Sequence, residues 1–150
     1  MRRTHDGYEL DDDPRRVDLG ALWAYLSTEA YWGRFRTRED LAAQLASAWR
    51  VVGVYDAKGA QVGFARGISD GVALAYLADV YVLPEHRGRG LGHALMRVMV
   101  DEGPGSAYRW LLHTADAHDL YAAHGFRPAD HGDGAASAPR GVRAAGRSPR

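Results

Sequence analysis

Apolar positions along the chain change their spacing several times, and each change marks an element. Leu19, Leu22, Trp23 and Leu26 follow steps of three and four, so a helix is expected over 17–28. Thr37 and Asp40 have the spacing of a capping box ahead of Leu41, Leu45 and Trp49, which predicts a second helix over 38–48. From Val51 the pattern turns to β-branched and aromatic runs: Val51–Tyr55, the turn Asp56–Gly59, and Gln61–Arg66 describe a hairpin. Asp70-Gly71 is a second turn, leading into Val72–Val82 and a third antiparallel strand. Gly92–Val100, with Ala94, Leu95, Val98 and Met99 on one face, is expected to be a helix ending near Gly103-Pro104. A strand over 108–113, a short helix over 116–124 stopped by Gly125, and the start of a strand at 126–128 complete the order. Tyr8-Glu9-Leu10 reads as a short edge strand in an otherwise uninformative polar start.

Past Ala129 the composition shifts to Ala, Gly, Ser, Pro and Arg, so residues 1–130 are expected to form one domain and 131–150 a disordered polar tail. The 150 residues, 46% hydrophobic and 25% charged, suit a single soluble domain with a real core. Absence of cysteine excludes disulfides, thiolate metal sites and a Cys nucleophile. Nineteen basic and nineteen acidic residues cancel, leaving no field to recruit nucleic acid or an anionic membrane. With neither a signal core nor a membrane-length apolar stretch, a cytoplasmic protein is expected. The seven histidines do not fall at metal-ligand spacings, so no metal is expected.

The chemistry concentrates in Val80-Tyr-Val-Leu-Pro-Glu-His-Arg87-Gly88-Arg89-Gly90-Leu-Gly92-His93. A strand enters a loop with three glycines in five residues, and the loop opens into an amphipathic helix. Such a junction binds anions: glycines let backbone N–H groups approach, the helix start is electropositive, and Arg87 and Arg89 add charged donors. A Walker A loop is excluded because the only lysine, Lys58, lies in a distant turn. A dinucleotide fingerprint does not suit the glycine spacing or the antiparallel meander that precedes it.

Arg87-Gly-Arg-Gly90-Leu-Gly92 resembles the Arg/Gln-x-x-Gly-x-Gly/Ala signature of the GCN5-related N-acetyltransferases (GNAT family). Leu120-Tyr121-Ala-Ala-His-Gly125-Phe126 resembles that family's Leu-Tyr-x-x-x-Gly-Phe element, and the element order agrees over roughly 17–128. The resemblance implies an α+β fold of GNAT type: a mixed, mostly antiparallel sheet flanked by about four helices. It implies acetyl-CoA as cosubstrate, its pyrophosphate held by Arg87 to Gly92 followed by His93. Val80 and Val82 match the splayed strand whose backbone binds pantetheine and polarises the thioester, and Tyr121 matches the tyrosine that protonates the leaving thiolate. Thr114 stands where relatives often carry Asn in contact with CoA.

An amine must lose a proton before it attacks a thioester, because a free alkyl amine has a pKa of about 10. Asp79, the only charge inside Ala73–Leu83, is the candidate acceptor, unless it is an outward residue paired with an arginine or a water chain carries the proton. Tyr31, Trp32 and Arg66 are candidate substrate contacts; the aromatics could equally be core, and Arg66 and Asp70 could belong to a solvated hairpin. His118, three residues before Tyr121, is a candidate to tune it or a surface histidine. The expected activity is acetyl transfer from acetyl-CoA to a primary amine of a small molecule by direct attack. A non-catalytic acyl-CoA sensor and a protein or peptide N-acetyltransferase stay open, as does a homodimer.

Overall fold

The computed structural model describes residues 1–28, 36–114, 117–128 and 143–147, the last stretch and His118 by their backbone. Two short strands come first, β1 (Arg2–His5) and β2 (Tyr8–Asp11). Asp6 and Gly7 join them with φ of 49° and 80°, the left-handed pair that a two-residue hairpin turn demands. Helices α1 (Leu19–Thr28) and α2 (Arg38–Ser47) follow, and α2 starts at the expected capping box: Thr37 accepts from the Asp40 amide and Asp40 from the Thr37 amide. Strands β3 (Arg50–Tyr55), β4 (Gln61–Ser69) and β5 (Leu74–Val82) are the three antiparallel strands read from the sequence. Helix α3 (Leu91–Met96) runs on as a π-helical turn over Arg97–Asp101. Strand β6 (Arg109–Thr114), helix α4 (His118–Ala122) and strands β7 (Arg127–Pro128) and β8 (Arg143–Arg147) complete the chain.

Among the described residues eight strands share one sheet in the order β1-β2-β3-β4-β5-β6-β8-β7. The β1 to β5 pairings are antiparallel, while β5–β6, β6–β8 and β7–β8 are parallel. The fold is the expected mixed, mostly antiparallel sheet, with four α-helices among the described residues. Within the stretch 131–150, expected to be a disordered polar tail, residues 143–147 form β8, which pairs with the outer edge of β6. Backbone pairing to an open edge needs no apolar periodicity, so Arg143-Ala-Ala-Gly-Arg147 carried no sequence signal for it.

Each face of the sheet has its own core. On one, α3 and the π turn pack Leu95, Met96 and Met99 against Val52, Ala65, Leu77, Trp110 and Leu112. Buried Trp110 keeps its indole N–H satisfied on the Gly105 carbonyl at 2.7 Å. On the other face α1 and α2 set Leu22, Leu26 and Leu41 against Val51 and Phe64, and Tyr25 stacks on Tyr81 with ring centroids 4.0 Å apart. No described helix is long and apolar enough to cross a membrane.

Candidate active site

The sheet opens where the glycine-rich loop begins. β5 pairs with β6 only from Leu74–Arg109 to Leu77–Leu112, so Ala78–Val82 and His113-Thr114 are unpaired across the gap. Leu83 N–H donates to the Val62 carbonyl at 2.8 Å, on the β4 side. Alternation along a strand then turns the amides of Val82 and Val80 toward the gap. The Val82 carbonyl faces the same way and accepts from Arg87 Nε at 2.9 Å.

The loop's glycines serve three different ends. Gly88 and Gly90 adopt left-handed φ of 78° and 76°. A Cβ on Gly88 would meet nothing within 4 Å, whereas one on Gly90 would lie 3.1 Å from His5 Nε2. Gly92 has no backbone need; a Cβ there would stand 3.3 Å from Leu120, so it lets α3 approach α4. The result is a curved stretch of backbone at the start of the helical run Leu91–Asp101, open on the Gly88 side and fit for a pyrophosphate.

The amino-terminal hairpin, uninformative in sequence, braces this loop. His5 Nε2 donates to the Arg89 carbonyl at 2.8 Å, and the Tyr8 hydroxyl bonds His86 Nδ1 at 2.7 Å. The Arg87 guanidinium also reaches the Tyr25 hydroxyl at 3.3 Å. His93, expected beside the pyrophosphate, turns its Nδ1 to His124 Nε2 at 3.1 Å, and His124 Nδ1 bonds Asp101 at 2.7 Å. The Thr114 hydroxyl accepts from the Ala117 amide at 3.1 Å and so caps the approach to α4. Tyr121 is buried in the core with its ring edge-on to Phe126.

Asp79 lies at a bulge. Phe64 pairs with Tyr81 and Arg66 with Ala78, so β5 holds one extra residue, and Asp79 takes it up with φ of 56°. Aspartate is among the few residues that tolerate this region. Its carboxylate, 3% exposed, accepts two hydrogen bonds from Arg36 and one from Arg66 Nε, all at 2.9 Å. Arg36 also donates to Gln44 at 2.8 Å. Asp79, a candidate proton acceptor or arginine partner, is thus paired with two arginines, and it is buried rather than outward. Asp70 belongs to the solvated hairpin, where it accepts from the Val72, Ala73 and Leu74 amides in the turn. Tyr31 and Trp32 lie outside the described residues, as does the His118 side chain.

Two residues that no motif marks meet on the same face as Arg66. The Tyr76 hydroxyl bonds His113 Nδ1 at 2.6 Å across the last turn of β5–β6 pairing. Burial, aided by Asp79 and opposed by Arg66, pushes the Tyr76 hydroxyl above its ordinary value. His113 itself is exposed, one residue beyond the last β5–β6 pair and so at the mouth of the gap. Among the described residues no group of acids and histidines is arranged to hold a metal.

Comparison with known proteins agrees with this geometry. The sequence profile of the acetyltransferase (GNAT) domain matches residues 48–128. A Gibberella zeae protein named "Putative acetyltransferase FG08082" is 33% identical over 137 residues, covering 79% of this chain and 77% of its own. A crystal structure from Xanthomonas campestris pv. campestris, assigned to the same family, is 37% identical with a TM-score of 0.75 over 83% of this chain and 87% of its own. N-acetylglutamate synthase from Neisseria gonorrhoeae, solved with coenzyme A and N-acetyl-glutamate, shares the fold at 17% identity, with a TM-score of 0.66 over 85% of this chain and 30% of its own. The chain therefore belongs to the GNAT family of acetyltransferases, enzymes that use acetyl-CoA.

Proposed function

We propose that this protein transfers acetyl from acetyl-CoA to a primary amine of a small molecule by direct attack, without an acyl-enzyme. The observation that carries this reading is the parting of β5 from β6 beside the glycine-rich loop, which leaves the Val80 and Val82 amides free of ladder partners. Arg87, Gly88, Arg89, Gly90 and Gly92 would hold the pyrophosphate, with His93 and Thr114 at the flanks. Bound acetyl-CoA supplies an electrophilic carbonyl carbon, to which the amine nitrogen bonds as the carbon–sulfur bond breaks and its electron pair leaves with sulfur.

The chain's residues have distinct tasks around that exchange. The Val80 amide would donate to the carbonyl oxygen as charge grows on it. Asp79, with its oxygens already accepting from two arginines, acts as a positioning residue that fixes the bulge and the guanidinium planes. His113 is the better proton acceptor, since Tyr76 fixes its Nδ1 and the ring stands exposed at the gap. Tyr121 would give its hydroxyl proton to the departing sulfur. Tyr31 and Trp32 are proposed substrate contacts.

The test is thiol release from acetyl-CoA across polyamines, amino acids, aminoglycosides and peptides. Release with one class of small amine, giving an N-acetylated product by mass spectrometry, is the expected result. Tight CoA binding with no release on any amine would instead make the protein a sensor.

A further inference from the structure

The buried cluster under the bulge carries an unbalanced charge. Arg36 and Arg66 contribute two positive charges and Asp79 one negative. Arg36 and Asp79 already form a complete two-pronged pair, with Arg36 Nη1 and Nη2 on the two carboxylate oxygens. Arg66 is thus the surplus cation. Its side chain is 8% exposed, and its Nε donates to Asp79 at 2.9 Å. No described residue accepts from its two terminal nitrogens, and neither is sealed from solvent.

A cation this buried is costly unless an anion meets it. The Nε bond to Asp79 fixes the guanidinium plane, so the remaining pair of nitrogens forms a rigid fork suited to a carboxylate. The surplus is one charge, which one carboxylate neutralises and a phosphate dianion would exceed. Arg66 lies opposite Ala78 in the β4–β5 ladder, while Ile68 lies opposite Tyr76, so the fork sits beside the Tyr76–His113 pair on one face. A short molecule bound there has its acid end on β4 and its amine end toward the β5–β6 gap. Ile68, 46% exposed, and Leu74, 44% exposed, stand further along this face and offer apolar surface to a side chain.

We infer that the acceptor is an amine bearing a carboxylate, an amino acid in the broad sense, and that Arg66 receives its carboxylate. The inference rests on the acetyl-transfer reading for the identity of the acceptor, but the anion site can be tested without turnover. The protein saturated with CoA is titrated by calorimetry with proteinogenic amino acids, each against its own carboxamide. At least one acid should bind about tenfold or more tightly than its amide, the size of a charge-assisted hydrogen bond. Arg66→Gln should bring that ratio to about threefold or less, with acetyl-CoA affinity unchanged, and Arg66→Lys should retain part of it, because a point charge keeps the attraction and loses the fork.

A ratio near one for every pair in the wild type overturns the inference, and that measurement needs no variant to fold. So does a preference that survives Arg66→Gln. Thiol release is followed on the same pairs: acids that bind selectively but release no CoA leave the anion site standing and refute acetyl transfer to them. Equal release from acid and amide does the reverse.

Discussion

Asp79→Asn removes one charge and leaves shape and backbone preference nearly intact, because asparagine also tolerates a left-handed φ. The wild-type carboxylate is 3% exposed and faces Arg36 and Arg66, whose side chains are 15% and 8% exposed. The variant leaves two guanidinium groups together with no counter-charge. Removing one partner of a buried pair costs about 3–5 kcal/mol, and the asparagine carbonyl can still accept from one arginine, so the lower end, about 3 kcal/mol, is expected. For a domain of this size each kcal/mol shifts the melting temperature by about 2–4 °C, which gives a fall of about 6–12 °C by calorimetric scanning. Adding Arg66→Gln removes one of the stranded cations and should recover part of the loss, so the two changes will not add. Arg15→Gln, which breaks an exposed pair with Asp13, should leave the melting temperature where it was. If Asp79→Asn melts with the wild type, or if the double variant is the sum of the singles, Arg36, Arg66 and Asp79 do not act as one coupled cluster.

Tyr121→Phe keeps the ring against Phe126 and removes only the hydroxyl; kcat should fall about tenfold or more with the acetyl-CoA KM little changed, as measured where chemistry limits the rate. Wild-type turnover would take this tyrosine out of the mechanism. His113→Gln should cost about tenfold or more in kcat/KM at neutral pH, a deficit that shrinks as pH approaches the amine pKa of about 10 and the amine arrives already neutral. A deficit equal at every pH would mean that His113 only shapes the site. Acid should unfold the amino-terminal hairpin contacts in a defined window. Burial pushes the Asp11 carboxyl up, but hydrogen bonds from Arg16, the Asp13 amide and Arg2 outweigh it and hold it below its ordinary 3.8. Asp12, between the amino terminus and Arg50, is lowered likewise despite its burial. Depressed values in the folded state mean stability that is fully present above pH 3.8 and lost as pH falls through the folded values, so Asp11→Asn should flatten the stability curve only in that acid range.

Elements whose pattern repeats were legible before any coordinate. The capping box at Thr37 and Asp40, the three antiparallel strands and the loop Arg87–Gly92 all carry their information in residues close in sequence. The hairpin of β1 and β2 was half-read: Asp6-Gly7 is a strong two-residue turn signal, but Arg2-Arg-Thr-His5 has no apolar alternation to flag a strand. β8 is too rich in small and polar residues to announce itself. The bulge at Asp79 depends on register between β4 and β5, and the partnership of Arg36, Arg66 and Asp79 joins residues 43 and 13 positions apart. The Tyr76–His113 bond spans 37 positions between two strands that lie parallel, a relation that local spacing does not encode. Asp79 was found because a lone charge in an apolar run is conspicuous; its partners were not, because arginines are scattered along the whole chain.

The loop Arg87–Gly92 and the adjoining gap are proposed to hold acetyl-CoA, and calorimetric titration of acetyl-CoA into the wild type and Gly90→Asp is the decisive test. Aspartate tolerates the left-handed φ of 76° better than most side chains, so the fold should survive with a modest fall in melting temperature. A Cβ there would lie 3.1 Å from His5 Nε2, and the carboxylate it carries would add a negative charge at the start of α3, beside the proposed pyrophosphate site. One tight site is expected in the wild type and an affinity weakened about a hundredfold or more in the folded variant, a loss of the size expected when charged hydrogen bonds give way to repulsion. Equal affinity in the two proteins would contradict it.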